Sequence, residues 1–563
     1  MPTLQFKGKS VIWNHHLSVP YHTLEEDKKL SFQPEKGEGN LIIEGDNLIA
    51  LKALLPEYSG KVKCIYIDPP YNTGKEGWVY DDRVNSPLIK DWLNKEVGAD
   101  DLTRHDKWLC MIAPRLKLLR DLLSDEGVMV VSIDDNELYF LKAIMDEIFI
   151  DTNFIGNFIW HTATDNNPRQ IAVEHEYVLF YAKDKTRHAS WEKPTEKGKL
   201  IQEQYERLKK RLGKNVEAIQ MELRKWIKSQ IDNGIDLSGV SHYSYVDEKG
   251  VFYPGNSSNT RPGGYTYDIV HPRTKKVCAK PDYGYRFAEN TFWSAEKEGD
   301  VQWGEDETTI PKIKKRLETA TEQLKSYYYE DNRATTNQLR DLFDGKKVFD
   351  NPKSTNLLKH ILSFITAGND LVMDSFAGSG TTMHAVMDLN KEDGGSRKCI
   401  LVQMTEATAN EPKKNICKDI TQERIRRAIK KNGYGSGFRY FRVGEAIDAE
   451  TMLSGKLPAF NQFGKYVYYL CTGSHIEDEK RINEESYFVG STANEQIYLV
   501  YNKDYEKLTH LALNLQLAEK FLKESPGKKI IVYAPACFLD EDFMTDNRIE
   551  FVSIPYSLFT KNR

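Results

Sequence analysis

Most of the quick signatures are missing from this chain. Seven cysteines in 563 residues lie scattered at 64, 110, 278, 399, 417, 471 and 537, never as Cys-x-x-Cys. That excludes a zinc knuckle or a disulfide frame and suits reduced thiols. No run approaches 18 apolar residues, so no membrane span is expected. The opening "MPTLQFKGKSVIWNHH" has no apolar h-region, so export is not expected either, and the expected location is cytoplasmic. Basic charge is not in excess: 78 Lys and Arg against 83 Asp and Glu leave a formal net charge of -5. Any surface for nucleic acid must therefore be local. Internal repeats and low-complexity tracts are absent. His15 beside His16, and His175 with Glu176, lack ligand spacing, so no metal is expected.

What is present reads as an ordinary globular balance, 40% hydrophobic and 29% charged, with 30 tyrosines. The length suggests two to four domains. Residues 40–67 alternate strand, helix and strand ("NLIIEGDN", "LIALKALLPEY", "KVKCIYI"), and residues 105–150 repeat the alternation. "EYVLFYAK" at 176–183 is a further strand. Short apolar strands between helices predict a parallel sheet covered on both faces. The pattern breaks at 197–232, an amphipathic helical stretch, and at 241–310, which is rich in Gly, Tyr and Trp. It resumes near 352 with "PKSTNLLKHILSFI", "NDLVMDSFAGSGTTMHAVMDLN" and "KCILVQM". One α/β sheet is thus expected to be split by an insert of domain size. After about 435, "EQIYLVYN" and "KKIIVYAPA" suggest a small separate α/β unit. The expected boundaries are 1–185, 186–345, 346–434 and 435–563.

"LVMDSFAGSGTTMHAVM" is strand, tight turn and helix. The strand ends at Asp374, Ala377 to Gly380 turn, and the helix starts at Thr381. Glycines at 378 and 380 allow positive φ and a close ligand approach. The helix N-terminus offers N–H groups and the positive end of a dipole to an anion. The third glycine of a dinucleotide site is missing, and so is the Gly-Lys-Ser/Thr of a P-loop. A small anionic cofactor such as S-adenosylmethionine fits the short turn; a plain strand-to-helix connection is the alternative.

"CIYIDPPYNTG" also ends a strand, where open α/β sheets place ligands. Pro69 and Pro70 fix φ and lack N–H groups, so with the Asp68 carboxylate they form a rigid acceptor-only array. Such an array suits an exocyclic amino group, and Tyr71 offers a face for a base to stack on. Hydrogen bonds from the amine to Asp68 and the Pro69 carbonyl would favour a pyramidal nitrogen able to attack a methyl sulfonium. Within a duplex the target would have to flip out.

"DPPYNTG" together with "DSFAGSGTT" resembles the DNA amino-methyltransferases. The catalytic motif precedes the cofactor motif with a long insert between, as in the β class. "IIEGDNLIAL", "NFIWHTATDN", "VEHEYVLFYAKD" and "NPKSTNLLKHIL" extend the likeness. "YTYDIVHPRTKK", "DYGYRF" and "QERIRRAI" resemble the modification subunits of type III restriction systems. The resemblance covers most of residues 35–430. It implies a Rossmann-like class I S-adenosylmethionine-dependent sheet, an inserted target-recognition domain and a small C-terminal α/β domain. It also implies double-stranded DNA as substrate, N6-methyladenine as product, a homodimer and an ATP-dependent restriction partner. Asp68, Pro69, Pro70 and Tyr71 are the expected catalytic residues. Asp46, Asp374, Phe376, Ala377, Gly378, Ser379, Gly380, Thr381 and Thr382 are expected at the cofactor, with Gln403 or Glu406 at its ribose. Cytosine-N4 transfer by the same fold, or a non-catalytic DNA-recognition subunit, are the alternatives. Cytosine-C5 chemistry would need a Pro-Cys nucleophile, and no Pro-Cys occurs.

Two charge features stay open. "VSIDDNE" at 131–137 either lines the cleft or caps a helix. Residues 185–230 carry 13 Lys and Arg against 6 Asp and Glu, either a solvated face or a phosphate contact. Lys209, Lys210, Arg211, Arg224, Arg261, Arg273, Lys275 and Lys276 are the candidate DNA contacts.

Overall fold

The structure, a computed structural model of the whole chain, describes residues 3–74, 103–162, 170–406 and 413–554. Residues 163–166 of the "NFIWHTATDN" stretch lie outside the described residues. The chain divides into two compact units: Ser190–Leu324, and the remainder on either side of it.

The larger unit is built on a ten-stranded sheet. In chain order its strands are β1 (Tyr21–Glu26), β2 (Leu41–Glu44), β3 (Val62–Ile67), β4 (Leu123–Ile133), β5 (Phe154–His161), β6 (His175–Ala182), β7 (Tyr327–Tyr329), β8 (Leu371–Asp374), β9 (Lys398–Gln403) and β10 (Arg439–Ile447). Their spatial order is β1-β10-β2-β9-β8-β3-β4-β6-β5-β7. The six strands from β10 to β4 are parallel, and β6 runs against β4 and β5. This is the doubly wound sheet expected of a class I methyltransferase.

The near-continuous apolar character of β3, β4, β8 and β9 follows from burial on both faces. Helices α1 (Asn47–Tyr58), α2 (Arg104–Leu122), α3 (Leu138–Phe149), α4 (Thr355–Ile365), α5 (Thr381–Asp393) and α6 (Glu423–Asn432) belong to the same unit. Its main core joins Leu48, Leu54, Trp108, Ile112, Met129 and Val402. From β8 the chain crosses through α5 to β9 on one side. From β3 it reaches β4 on the other. The junction of β8 and β3 is therefore a topological switch point, where such sheets open a crevice at the strand ends.

Several boundaries differ from those expected. The separate unit is Ser190–Leu324 rather than 186–345. Residues 327–329 instead extend the main sheet beside β5. β10 also joins the main sheet, between β1 and β2, so the expected break at 434 falls before a sheet strand. The C-terminal strands Phe488–Ser491, Glu495–Leu499, Lys529–Ala534 and Ile549–Ser553 do form their own four-stranded sheet. That sheet's core reaches Tyr21 and Ile447 of the main sheet, and Tyr21 stacks on Tyr466 at 4.3 Å. Among the described residues no helix is long and apolar enough to cross a membrane.

In the smaller unit the expected single helix at 197–232 is two helices, Glu196–Leu212 and Val216–Asp232. Gly213 takes φ +65°, and the Asn215 side chain accepts from Ala218 N to start the second helix. The helices pack through Ile201, Tyr205 and Leu208 against Ile219, Leu223 and Ile227. A second core gathers Ile269, Cys278, Tyr285 and Phe292. The unit is also tied by Arg316, whose guanidinium donates to both oxygens of Asp247 at 2.6 and 2.9 Å and, through Nε, to Asp300 at 3.1 Å. Burial opposes the charge on both acids, yet Arg316 holds them below the usual carboxylate range.

Arg316→Ala should therefore destabilise this unit by about 1–2 kcal/mol, because Asp247 and Asp300 lose the guanidinium and keep only Lys314 and Lys249. The deficit in urea unfolding should be full at neutral pH. It should shrink as pH falls through the range where the wild-type pair loses its advantage, since these depressed acids stabilise only above it.

Candidate active site

Two turns face each other across the switch point. β3 and β8 pair in parallel register, Cys64 opposite Val372 and Ile65 opposite Met373. Their C-terminal ends carry Asp68-Pro69-Pro70-Tyr71 and Asp374-to-Gly380. These motifs lie about 300 residues apart in the chain and at adjacent strand ends in the sheet.

The first turn is braced from below. Trp108 of α2 donates its indole N–H to the Pro70 carbonyl at 2.6 Å. This corrects the expectation of two free proline carbonyls: Pro70 already has its donor. Asn72 sits at φ +59° and is fully buried. Its amide donates to Glu137 at 2.5 Å, and Glu137 also meets His105 Nδ1 at 2.6 Å. Burial pushes the Glu137 carboxyl up to about 8, against the pull of Asn72. Of the acids in "VSIDDNE", Asp134 accepts from both the backbone and the side chain of Asn136, a turn-capping role, while Glu137 reaches under the Asp68 turn.

The acceptor-only array already meets a cation. Lys353, just before α4, places Nζ 3.2 Å from Asp68 Oδ1 and 2.6 Å from the Tyr71 hydroxyl. The same ammonium bonds Glu176 of β6, and Tyr71 donates to Glu176 at 2.8 Å. It lies 4.7 Å from the centre of the Tyr71 ring and 5.3 Å from that of Trp160. Burial raises the Asp68 carboxyl above its ordinary value; Lys353 pulls it back and Glu176 pushes it up. Burial works against the Lys353 charge, but Asp68 and Glu176 outweigh it and raise its pKa.

In the second turn, most of the side chains expected to hold a ligand hold the turn instead. Asp374, fully enclosed, accepts from Phe376 N at 2.9 Å and from the Thr382 hydroxyl at 2.5 Å; burial pushes it up to about 7. Ala377 N donates to Val402 O. Gln403 accepts from Gly378 N at 2.7 Å and donates to Glu406 at 3.0 Å, so the two ribose candidates are bonded to each other. Arg424 of α6, buried, donates to Ser379 Oγ and Thr381 Oγ1 at 2.7 and 2.8 Å. Asp46 caps α1 by accepting from Leu48 N and Ile49 N, and pairs with Arg115 at 3.4 Å.

Gly378 and Gly380 have φ of +50° and +83°. A Cβ on Gly378 would come within 3.2 Å of Phe349. Two features remain open to a small anion: the N-terminus of α5, which has no side-chain cap, and the buried Ser375 hydroxyl, which has no hydrogen-bond partner.

The basic candidates lie in the smaller unit and are exposed. Lys209, Lys210 and Arg211 end the first helix, and Arg211 pairs with Glu222. Arg224 donates to Ser244 O and stacks over Tyr245. Arg261, Arg273, Lys275 and Lys276 lie on loops, with Lys276 bound to Glu307.

The sequence profile of the DNA methylase family matches residues 62–430, which holds both turns. The chain belongs to this family. Over 467 residues it is 38% identical to the type III restriction-modification enzyme EcoP15I Mod subunit of Escherichia coli, spanning 78% of this chain and 71% of that one. The StyLTI Mod subunit of Salmonella typhimurium is 32% identical, spanning 79% and 67%. The type II methyltransferase M.KpnI of Klebsiella pneumoniae is 30% identical, spanning 68% and 84%. A solved PvuII DNA methyltransferase (cytosine-N4-specific) overlays 70% of this chain and 92% of its own at 12% identity and a TM-score of 0.31, a distance at which no detail transfers. The chain is a DNA methyltransferase, and its methyl donor is S-adenosylmethionine. The uncapped α5 terminus and the unpartnered Ser375 hydroxyl suit that donor's carboxylate and ammonium.

Reading the sequence missed Lys353, Glu176, Trp108, Asn72 and Arg424 as parts of the site. The signals were a lysine between Pro352 and an apolar helix, an acid opening the apolar strand "EYVLF", and an arginine on the apolar face of "ERIRRAI".

A buried acid whose folded value is raised stabilises the fold at low pH and loses that contribution as pH rises through the raised value. Unfolding free energy in urea should therefore decline for the wild type between pH 4.5 and about 8 through Glu137. In Glu137→Gln that part of the decline should vanish.

Proposed function

We propose that the chain transfers a methyl group to N6 of adenine in double-stranded DNA, as the modification subunit of a type III restriction system. The observation that carries this is the side-by-side pairing of β3 and β8, which sets the Asp68 turn next to the glycine turn. The type III Mod subunits among its relatives support the biological setting.

In this reading Gly378, Gly380 and the first turn of α5 hold the methionine end of the donor, with Ser375 beside them. Gln403 and Glu406 lie at the ribose. When bound, the donor supplies an electrophilic methyl on sulfonium. Asp68 and the Pro69 carbonyl accept the two N–H bonds of the target amine and direct its lone pair. The amine would form the new N–C bond as the S–C bond breaks, the donor departing as its neutral thioether, and the proton of the methylated amine would pass by way of Asp68 to water. Tyr71 stacks on the extruded base. Positioning and fixed dipoles do the work, without a covalent enzyme intermediate.

The unit Ser190–Leu324 reads the target sequence, the residues after β10 (448–563) dock a second copy, and an ATP-dependent restriction subunit completes the system.

Single-molecule sequencing of DNA from cells carrying the gene should show N6-methyladenine at one motif. N4-methylcytosine at that motif would reassign the base, and no mark would refute the activity. Asp68→Ala should lower methylation at least about 100-fold and leave DNA binding nearly intact.

Lys209, Lys210 and Arg211 changed together to Ala should weaken binding similarly for cognate and non-cognate duplexes. The slope of log affinity against log salt should drop by about 0.9 per lost phosphate contact. Fluorescence anisotropy over a salt series measures both.

A further inference from the structure

Three charged side chains from three elements converge beside the catalytic turn, and only one belongs to it. Asp68 follows β3, Glu176 lies on β6 and Lys353 precedes α4. Lys353 is 11% exposed, and the two acids about a quarter exposed. Its ammonium has three oxygens around it: Asp68 Oδ1 at 3.2 Å, the Tyr71 hydroxyl at 2.6 Å and Glu176 Oε2. The Tyr71 and Trp160 rings add two π faces that favour a cation at the same point.

Two carboxylates and one ammonium leave a single net negative charge. Without the ammonium, two carboxylates would share a poorly solvated pocket, and such pairs retain a proton. A protonated Asp68 would present an O–H donor to an amine that itself needs acceptors.

We propose that Lys353 is a positioning residue for methyl transfer: its ammonium keeps Asp68 an acceptor, and Glu176 tethers the ammonium where it can do so. The inference rests on the reading that Asp68 accepts from the target amine. Among the described residues the titratable groups facing Asp68 are Lys353, Glu176, Tyr71, Tyr66 and Asp374, and Lys353 is the cation of that set. Burial already drives Asp68 upward, so removal of the ammonium acts in the direction to which the site is disposed.

The test is a charge cycle of Lys353→Met, Glu176→Gln and the double variant, read by single-turnover methylation of a cognate duplex from pH 6 to 9. Lys353→Met should fall about tenfold or more at pH 7, with the half-point of its profile about a pH unit or more above that of wild type. The deficit should shrink as pH rises. The double variant restores the single negative charge and should recover much of the rate at pH 7.

Thermal unfolding gives a second readout. An Asp68 raised further in Lys353→Met stabilises the fold only while protonated. The melting deficit should therefore widen with rising pH and narrow in the double variant. A Lys353→Met chain too unstable to assay should regain a melting transition in the double variant.

A rate loss equal at every pH and unrelieved by Glu176→Gln would overturn the inference. So would a wild-type profile in Lys353→Met, or a double variant no more stable than the single. Asp68→Ala is run alongside. If it still methylates, the reading of Asp68 itself fails; if it is dead while Lys353→Met behaves as wild type, only the role of Lys353 fails.

Discussion

The pairing of β3 with β8 is the contact on which the site depends. Cys64, Ile65, Val372 and Met373 are fully buried at the middle of the sheet. A one-residue slip would turn every side chain to the opposite face, and a two-residue slip would move one turn past the other by about 7 Å. Register is held by apolar side chains on both faces and by β4 and β9 on either flank. The chemistry at the strand ends thus inherits its geometry from a core that has no chemistry of its own.

Around that pairing, many side chains with evident functional character serve as braces. Asp374, Thr382 and Gln403 hold the glycine turn, Arg424 pins two of its hydroxyls, and Asp46 caps α1. Trp108 and Asn72 do the same for the proline turn. Asp68 and Tyr71 are themselves held, by Lys353 and Glu176. A site built this way is ordered before substrate arrives, so little reorganisation is needed at the moment of reaction.

The alternation of strands and helices was legible because apolar periodicity reports burial directly, and both turns were legible because proline and glycine leave strong local marks. The pairing of "CIYI" with "LVMD" was legible as well, since ligands gather at strand ends of one sheet. β10 was not: "RYFRVGEAI" follows a change of texture, and its partner β2 lies almost 400 residues earlier. The split of the helix at Gly213 is visible in "LGKN", a glycine stop followed by an asparagine cap. Lys353 and Glu176 were hidden for another reason. Each meets Asp68 or Tyr71 across more than 100 residues of chain, and no local spacing records such a meeting. Trp108 meets Pro70 across only 38 residues, and there a residue that reads as core closes a carbonyl that reads as free.

The order of the two halves has a consequence in time. On a ribosome, β3 emerges before either of its sheet neighbours; β4 follows it, and β8 comes only after the whole of Ser190–Leu324 has been made. That unit has its own apolar cores and can close while the larger sheet waits. Contacts of such long sequence separation close late, so the nascent chain carries Asp68 and Tyr71 for hundreds of residues before a donor site stands beside them. A product truncated before β8 contains the whole proline turn and no glycine turn beside it.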